Sequence, residues 1–385
     1  MFDVKAHNQE IKEVWDSYNA NDPLRMPVLL GFNTRYYMLD TQYNTAGITF
    51  QEYMEQPEKM LYSQMAFKHL FCTELSKYYD AEVGVPEQGI EIGVDFQNFF
   101  EAGWFGCPIR YVKNNVPSSH QILNDDNKSM LFEQGIPDPF SGLMARGRDF
   151  YEYFLEQKAA GYSFQGHPIG NVGVSFMYTD GPFTTACNLR GAAEFCTDIY
   201  DDPEYALQLL DYITEATIAR LKAWRKYFSL PEKYASFGFA DDSAQMISVK
   251  MYKKLLLPFH KRLAAALSTG EQTNAIHMCG DATHLFPTLR DEMNIYEFDT
   301  GYPVNFADLT AKLGPKVRIS GGVHVDILLQ GTPETVTAET KRIIDEVTPN
   351  TKKFIMRDAN NVAPQTPLAN MQAMYDAVKQ YGRYR

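Results

Sequence analysis

The strongest constraint on the fold is a repeating step in the second half of the chain. Apolar runs begin at residues 274 (NAIHM), 294 (NIYEFD) and 316 (KVRISGG), about 20 residues apart, each ending in small or polar residues before an amphipathic stretch. A step that short holds one strand and one helix, so successive strands lie parallel with right-handed crossovers. The same pattern recurs at 171–177 (NVGVSFM), 234–240 (YASFGFA) and 353–358 (KFIMRD). MPVLLG at 26–31 supplies a seventh strand and IEIGVDF at 90–96 an eighth. Eight parallel strands close a (β/α)8 barrel. A doubly wound open sheet is disfavoured, because no G-x-G-x-x-G follows the first strand. The expected fold class is α/β, a (β/α)8 TIM barrel with an N-terminal helical extension.

Helix signals fit that plan. Ile11, Trp15 and Tyr18 share one helical face in residues 1–25, the expected extension. Asp202-Pro203 opens a long amphipathic helix, and Thr332-Pro333 and Thr366-Pro367 open two more, the last closing at Gly382. The barrel is expected to occupy 26–385, with an aromatic-rich insertion around 82–125 that carries Phe96, Phe99, Phe100, Trp104 and Phe105. Such rings pack as a satellite core under a long connection, or form a pocket wall.

Composition excludes several classes of function. The net charge is −12 over 385 residues, with no Lys/Arg cluster to follow a phosphate backbone or an anionic membrane. Neither nucleic acid nor a membrane is therefore an expected partner. No run approaches the 18 or so apolar residues of a transmembrane helix, and no secretory signal precedes residue 25. Five cysteines, without a C-x-x-C, do not make a disulfide framework. A cytoplasmic protein is the expectation, with a C2 homodimer as the commonest assembly.

In a barrel the chemistry lies at the C-terminal ends of the strands. That rule gathers Asn33 and Arg35, Tyr178, Asp242, His277 and Cys279, Asp299, Tyr302 and Asn360 on one rim. His277 and Cys279 are two residues apart on a strand, so imidazole and thiol project to the same side. Both suit Zn2+, with the third ligand drawn from Asp241, Asp242 or Asp358; the alternative is two ordinary buried side chains. Arg35 suits a bidentate hold on a substrate carboxylate or, alternatively, a structural ion pair. Nucleophile-elbow, P-loop and H-E-x-x-H motifs are absent.

The segments AIHMCGDATHLFPTLRD, FDTGYPVNFADLTAKLGPKVRISGGV, LLQGTPETV and NNVAPQTPLANMQAMYDAVKQYG resemble the uroporphyrinogen decarboxylase superfamily. DGPFTTACNLRG and RMPVLLGFNTRYYML resemble its more N-terminal segments. The resemblance implies the same barrel and two branches of chemistry. One decarboxylates uroporphyrinogen without a cofactor. The other comprises zinc methyltransferases that move methyl groups between a corrinoid protein and a thiol.

Residue by residue, the resemblance points to the second branch. The decarboxylases carry an arginine pair, of which only Arg35 has a counterpart here. Their tyrosine and histidine fall at Asn188 and Asn360. The methyltransferases carry H-x-C, matched by His277 and Cys279, and a second cysteine that also falls at Asn360. Asp242 or Asp358 would then complete the ligand set. The expected function is a zinc-dependent methyltransferase with its corrinoid supplied by a partner protein. Arg35, Asp242 and Asp299 are its catalytic candidates. Asn33, Tyr178, Tyr302 and Asn360 would bind an anionic small-molecule substrate, and His277, Cys279 and Asp242 would bind the metal. The alternatives are a decarboxylase, with Arg35 holding a carboxylate and Asp299 relaying a proton, and a non-catalytic small-molecule-binding barrel.

Overall fold

A computed structural model describes residues 2–384. Seven strands line a barrel: β1 (Ile90–Val94), β2 (His167–Val174), β3 (Gly238–Ala240), β4 (Asn274–Met278), β5 (Ile295–Thr300), β6 (Arg318–Val323) and β7 (Phe354–Asp358). Strands β3 to β7 pair in sequence, all parallel. The eighth position is the segment around Val28, which bridges Met356 of β7 in parallel. Strand β1 pairs in parallel with β2, and Thr179, just beyond β2, accepts from the Ala240 amide at 3.1 Å. The architecture is the TIM barrel that the strand rhythm predicts. The 234–240 run is a strand only over Gly238–Ala240.

The local signals explain the helices. Asp3 caps Val4–Asn19, which buries His7, Ile11, Val14 and Tyr18. Asp202 and Thr332 cap the helices Pro203–Tyr227 and Pro333–Val347 with their side chains. Thr366 departs from the expected cap: its hydroxyl turns back to the Ala363 carbonyl, and the last helix, Leu368–Tyr381, starts without a side-chain cap. Gly382 ends that helix with φ −86°, not in the left-handed region. The rings of Phe96, Phe100, Trp104 and Phe105 are buried.

Arg25 closes the barrel between its first and last elements. Its guanidinium donates to both Asp80 oxygens at 2.8 and 2.6 Å, and Asp80 also accepts from the Val28 amide and the Tyr375 hydroxyl. These charge-assisted bonds tie the Val28 segment to the C-terminal helix.

Strand register sorts the inward-facing side chains into layers. Ala240, His277, Asp299, Ser320 and Ile355 are successive partners in one layer. Gly238, Ala275, Glu297 and Arg318 make the next layer toward the strand N-termini. Bulky branched residues usually fill such layers. Here a side chain at Gly238 would meet only the Ala275 methyl, at 4.0 Å, and one at Gly173 would meet nothing within 4 Å. The lumen is consequently hollow.

Candidate active site

A cavity of about 520 Å³ occupies the lumen and opens at the C-terminal ends of the strands. Its volume falls in the range of small-molecule sites. Arg35, Asn98, Tyr178, Asp180, Asp242, His277, Cys279, Asp299 and Asn360 face it.

On one wall, His277, Cys279 and Asp242 converge, with one ligand atom from each lying within 4.8 Å of the others. The alternation of β4 sends His277 inward with Cys279 just beyond it. The His277 Nε2 and Cys279 Sγ are 3.1 Å apart. Asp242, in the turn after β3, accepts from the Cys279 amide at 2.7 Å, and its Oδ1 lies 3.9 Å from His277 Nε2. Asp241 is not in the cluster, and Asp358 faces Gly31, whose amide it accepts at 2.7 Å. Of the three acids that the sequence offers, Asp242 is the one that lies in this cluster.

A chain of charged groups stands behind the imidazole. His277 Nδ1 bonds Asp299 Oδ2 at 2.7 Å, Asp299 Oδ1 accepts from Arg357 at 2.7 Å, and Arg357 donates on to the Asn360 carbonyl at 2.7 Å. Burial works against the imidazolium, but Asp299 and Cys279 outweigh it and raise His277 to about 11 in the metal-free chain. Asp299 is thus engaged on both oxygens and acts on the site through His277.

The opposite wall holds an uncommitted cation. Arg35 Nε donates to Gln97 at 2.6 Å, and no carboxylate pairs with its guanidinium among the described residues. Burial lowers its pKa, partly offset by Asp95, Tyr178 and Asp180. Gln97 takes a left-handed conformation (φ 55°) with its amide on Asp95, which fixes the acceptor for Arg35. Asp180 faces the cavity, and its amide donates to Glu101. Burial, reinforced by Glu101 and Asp242, pushes the Asp180 carboxyl well above the usual range and favours its neutral form.

The remaining candidates separate. Tyr178 and Asn360 line the cavity. Asn33 does not: its side chain caps the helix Thr34–Met38 by accepting from the Arg35 amide, and so aims Arg35. Tyr302 stands outside on the rim, its ring 4.0 Å from that of His324. Sequence reasoning missed Gln97, Asn98 and the buried Glu101–Arg220 pair, whose signals lie in tertiary packing. Arg357 and Asp180 carry a signal in their strand-end positions.

The sequence profile of the family described as "Uroporphyrinogen decarboxylase (URO-D)" matches residues 174–381. Among characterised proteins, a methylated-thiol–coenzyme M methyltransferase of Methanosarcina mazei is 31% identical over 205 residues, 52% of this chain and 51% of that protein. That match spans about half the length of the relative. A methylcobamide:CoM methyltransferase of Methanosarcina acetivorans is 25% identical over 308 residues, 78% of this chain and 83% of that protein. A uroporphyrinogen decarboxylase of Dechloromonas aromatica is 20% identical over 215 residues, 54% of this chain and 59% of that protein. The solved structure of a methyltransferase from Methanosarcina mazei superposes with a TM-score of 0.62 at 17% identity, covering 96% of this chain and 98% of that one, a likeness of fold. No helix among the described residues is long and apolar enough to cross a membrane.

Proposed function

The chain belongs to the uroporphyrinogen decarboxylase family, and from that premise we propose that it is a zinc-dependent methyltransferase working with a corrinoid protein. The observation that carries this reading is the convergence of Asp242, His277 and Cys279 on an open cavity, with His277 already oriented by Asp299. One nitrogen, one sulfur and one oxygen donor beside a free volume match a catalytic zinc site, which keeps a position open. Relatives named as coenzyme M methyltransferases support the same class of reaction.

His277 would hold the metal through Nε2, because Nδ1–H donates to Asp299, which fixes that tautomer. Arg357 donates to the other Asp299 oxygen and would hold that carboxylate against the imidazole. The Cys279 amide steers Asp242 toward the same point. When bound, zinc would supply Lewis acidity that lowers the pKa of a thiol or polarises a methyl-bearing heteroatom. One thiolate and one carboxylate balance its charge to zero.

The rest of the cavity selects the substrate. The free guanidinium edge of Arg35 would pair with an anionic group, held off the metal wall by the width of the lumen. Tyr178 lines the same side, and Asp180 in its neutral form donates a hydrogen bond instead of repelling an anion. The exposed rim around Tyr302 would receive the corrinoid protein.

Metal content of chain purified without chelator, beside a His277→Ala, Cys279→Ala variant, is the deciding measurement. About one zinc per chain, lost in the variant, supports the reading. No uptake of supplied zinc sinks it, and moves the assay to decarboxylation of a carboxylated tetrapyrrole.

A further inference from the structure

Directly behind the ligand turn lies a buried polar chain that the reaction does not touch. His260, on the helix Leu257–Leu267, bonds Asp241 Oδ2 through Nε2 at 2.9 Å and Tyr252 Oη through Nδ1 at 3.0 Å. Tyr252, His260 and Asp241 are all fully buried. Tyr252 begins a π-helical turn, Tyr252–Leu256, a local distortion frequent at functional sites. Resting on the metal centre proposed above, we infer that His260 and Tyr252 are positioning residues. Through Asp241 they fix the carboxylate of Asp242 as the oxygen ligand beside His277 and Cys279.

Asp241 is saturated. Its Oδ1 accepts from the amide and hydroxyl of Thr184 at 2.8 and 2.7 Å, and its Oδ2 from the Phe183 amide at 3.2 Å as well as from His260. With four donors on two oxygens, Asp241 cannot turn toward the metal. It anchors the turn and leaves its neighbour to face the cavity. Thr184 Oγ1 also accepts from the Ser243 amide at 2.9 Å, so the chain is held on both sides of Asp242. Direct hydrogen bonding from the Cys279 amide then sets the side chain. A turn fixed at both flanks places its carboxylate before any metal arrives, which spares the ordering cost on binding.

A strut that only packs three elements together would make the same bonds, so ligand placement and packing are read separately. Zinc affinity is measured by competition with a chromophoric chelator, and the visible d–d bands are recorded for cobalt(II)-loaded protein. His260→Leu is expected to weaken zinc by about 10- to 100-fold and to shift the cobalt bands. His260→Gln, which keeps an N–H for Asp241, is expected to recover most of both. Leu263→Ala, a cavity in the same buried helix face, is expected to leave both near wild type while lowering stability. Equal losses in Leu263→Ala and His260→Leu would reduce the chain to packing and overturn the inference. Wild-type zinc affinity in Asp242→Asn would overturn it too. A wild-type chain that takes up neither metal removes the metal centre itself, and this inference with it.

Discussion

The Nδ1 of His277 lies 2.7 Å from the Oδ2 of Asp299 on the neighbouring strand. The two residues are register partners in the parallel pair β4–β5, so the backbone ladder itself sets their spacing. Replacing Asp299 by Asn removes the charge that favours one imidazole orientation. Asp299→Asn is expected to lower zinc affinity by about 10- to 100-fold, measured by chelator competition. Unchanged affinity would show that packing alone orients the ring.

The raised pKa of His277 gives metal uptake a pH sign. With the group near 11, the metal-free imidazole carries its extra proton throughout the neutral range, and that proton must leave when Nε2 binds zinc. Zinc binding should therefore release protons and tighten as pH rises from 6 to 8. Calorimetry in buffers of different ionisation enthalpy reads the release directly. Proton-neutral uptake would contradict a ligand role for His277.

Asp358 should make the fold less stable at neutral pH than its Asn variant. Burial raises its carboxyl from 3.8 to about 6, although Arg357 and the Gly31 amide oppose the shift. Below 3.8 the group is protonated in both the folded and unfolded chain and has no effect. Between 3.8 and 6 only the folded state keeps the proton, so stability falls as pH rises; above 6 the full cost, roughly 3 kcal/mol, applies. Thermal melts of Asp358→Asn should exceed wild type at pH 7.5, with the gap narrowing by pH 4.5. A gap independent of pH would mean that Asp358 is ionised at no cost.

The Arg220–Glu101 pair supports the cavity wall that Tyr178 faces. It is buried at both ends at 2.8 Å, and Arg220 also donates to the carbonyls of Phe176 and Tyr178. Arg220→Met leaves a buried carboxylate and two carbonyls without that partner, and should cost about 3–5 kcal/mol in urea unfolding. Adding Glu101→Gln should restore part of the loss, since the uncompensated charge is then gone. A double variant as unstable as the sum of the singles would argue against coupling.

Arg35→Met should raise KM for an anionic substrate by at least tenfold with kcat little changed, because the guanidinium binds a group remote from the reacting atom. A fall in kcat at constant KM would instead place Arg35 at the chemistry.

The period and spacing of the apolar runs carry the barrel in the sequence itself. Parallel strands read as short apolar runs, their step length fixes right-handed parallel crossovers, and the count of eight favours the closed barrel over an open sheet. The His277–Cys279 pair was legible for the same reason, since alternation along a strand is local. Asp242 remained one of three acids until the fold showed that Asp241 is saturated by Thr184, Phe183 and His260, and that Asp358 faces Gly31. Asn33 misled: a polar residue at a strand end is equally a helix cap, and only the geometry of the Arg35 amide decides between them. His260 gave no signal, because its partners lie 8 residues before it in a π turn and 19 residues away in another element.

The hollow lumen divides labour within the molecule. Its inner layers contribute little apolar burial, since Gly238, Ala275 and Gly173 leave space where other barrels are filled. Cohesion must then come from the outer interface, where Ile276, Met278, Phe298 and Ile319 turn away from the lumen and are buried beneath the helices. Changes to the residues lining the interior would therefore alter what fits there without dismantling what holds the barrel together. Such a scaffold can acquire new substrates one inward-facing residue at a time.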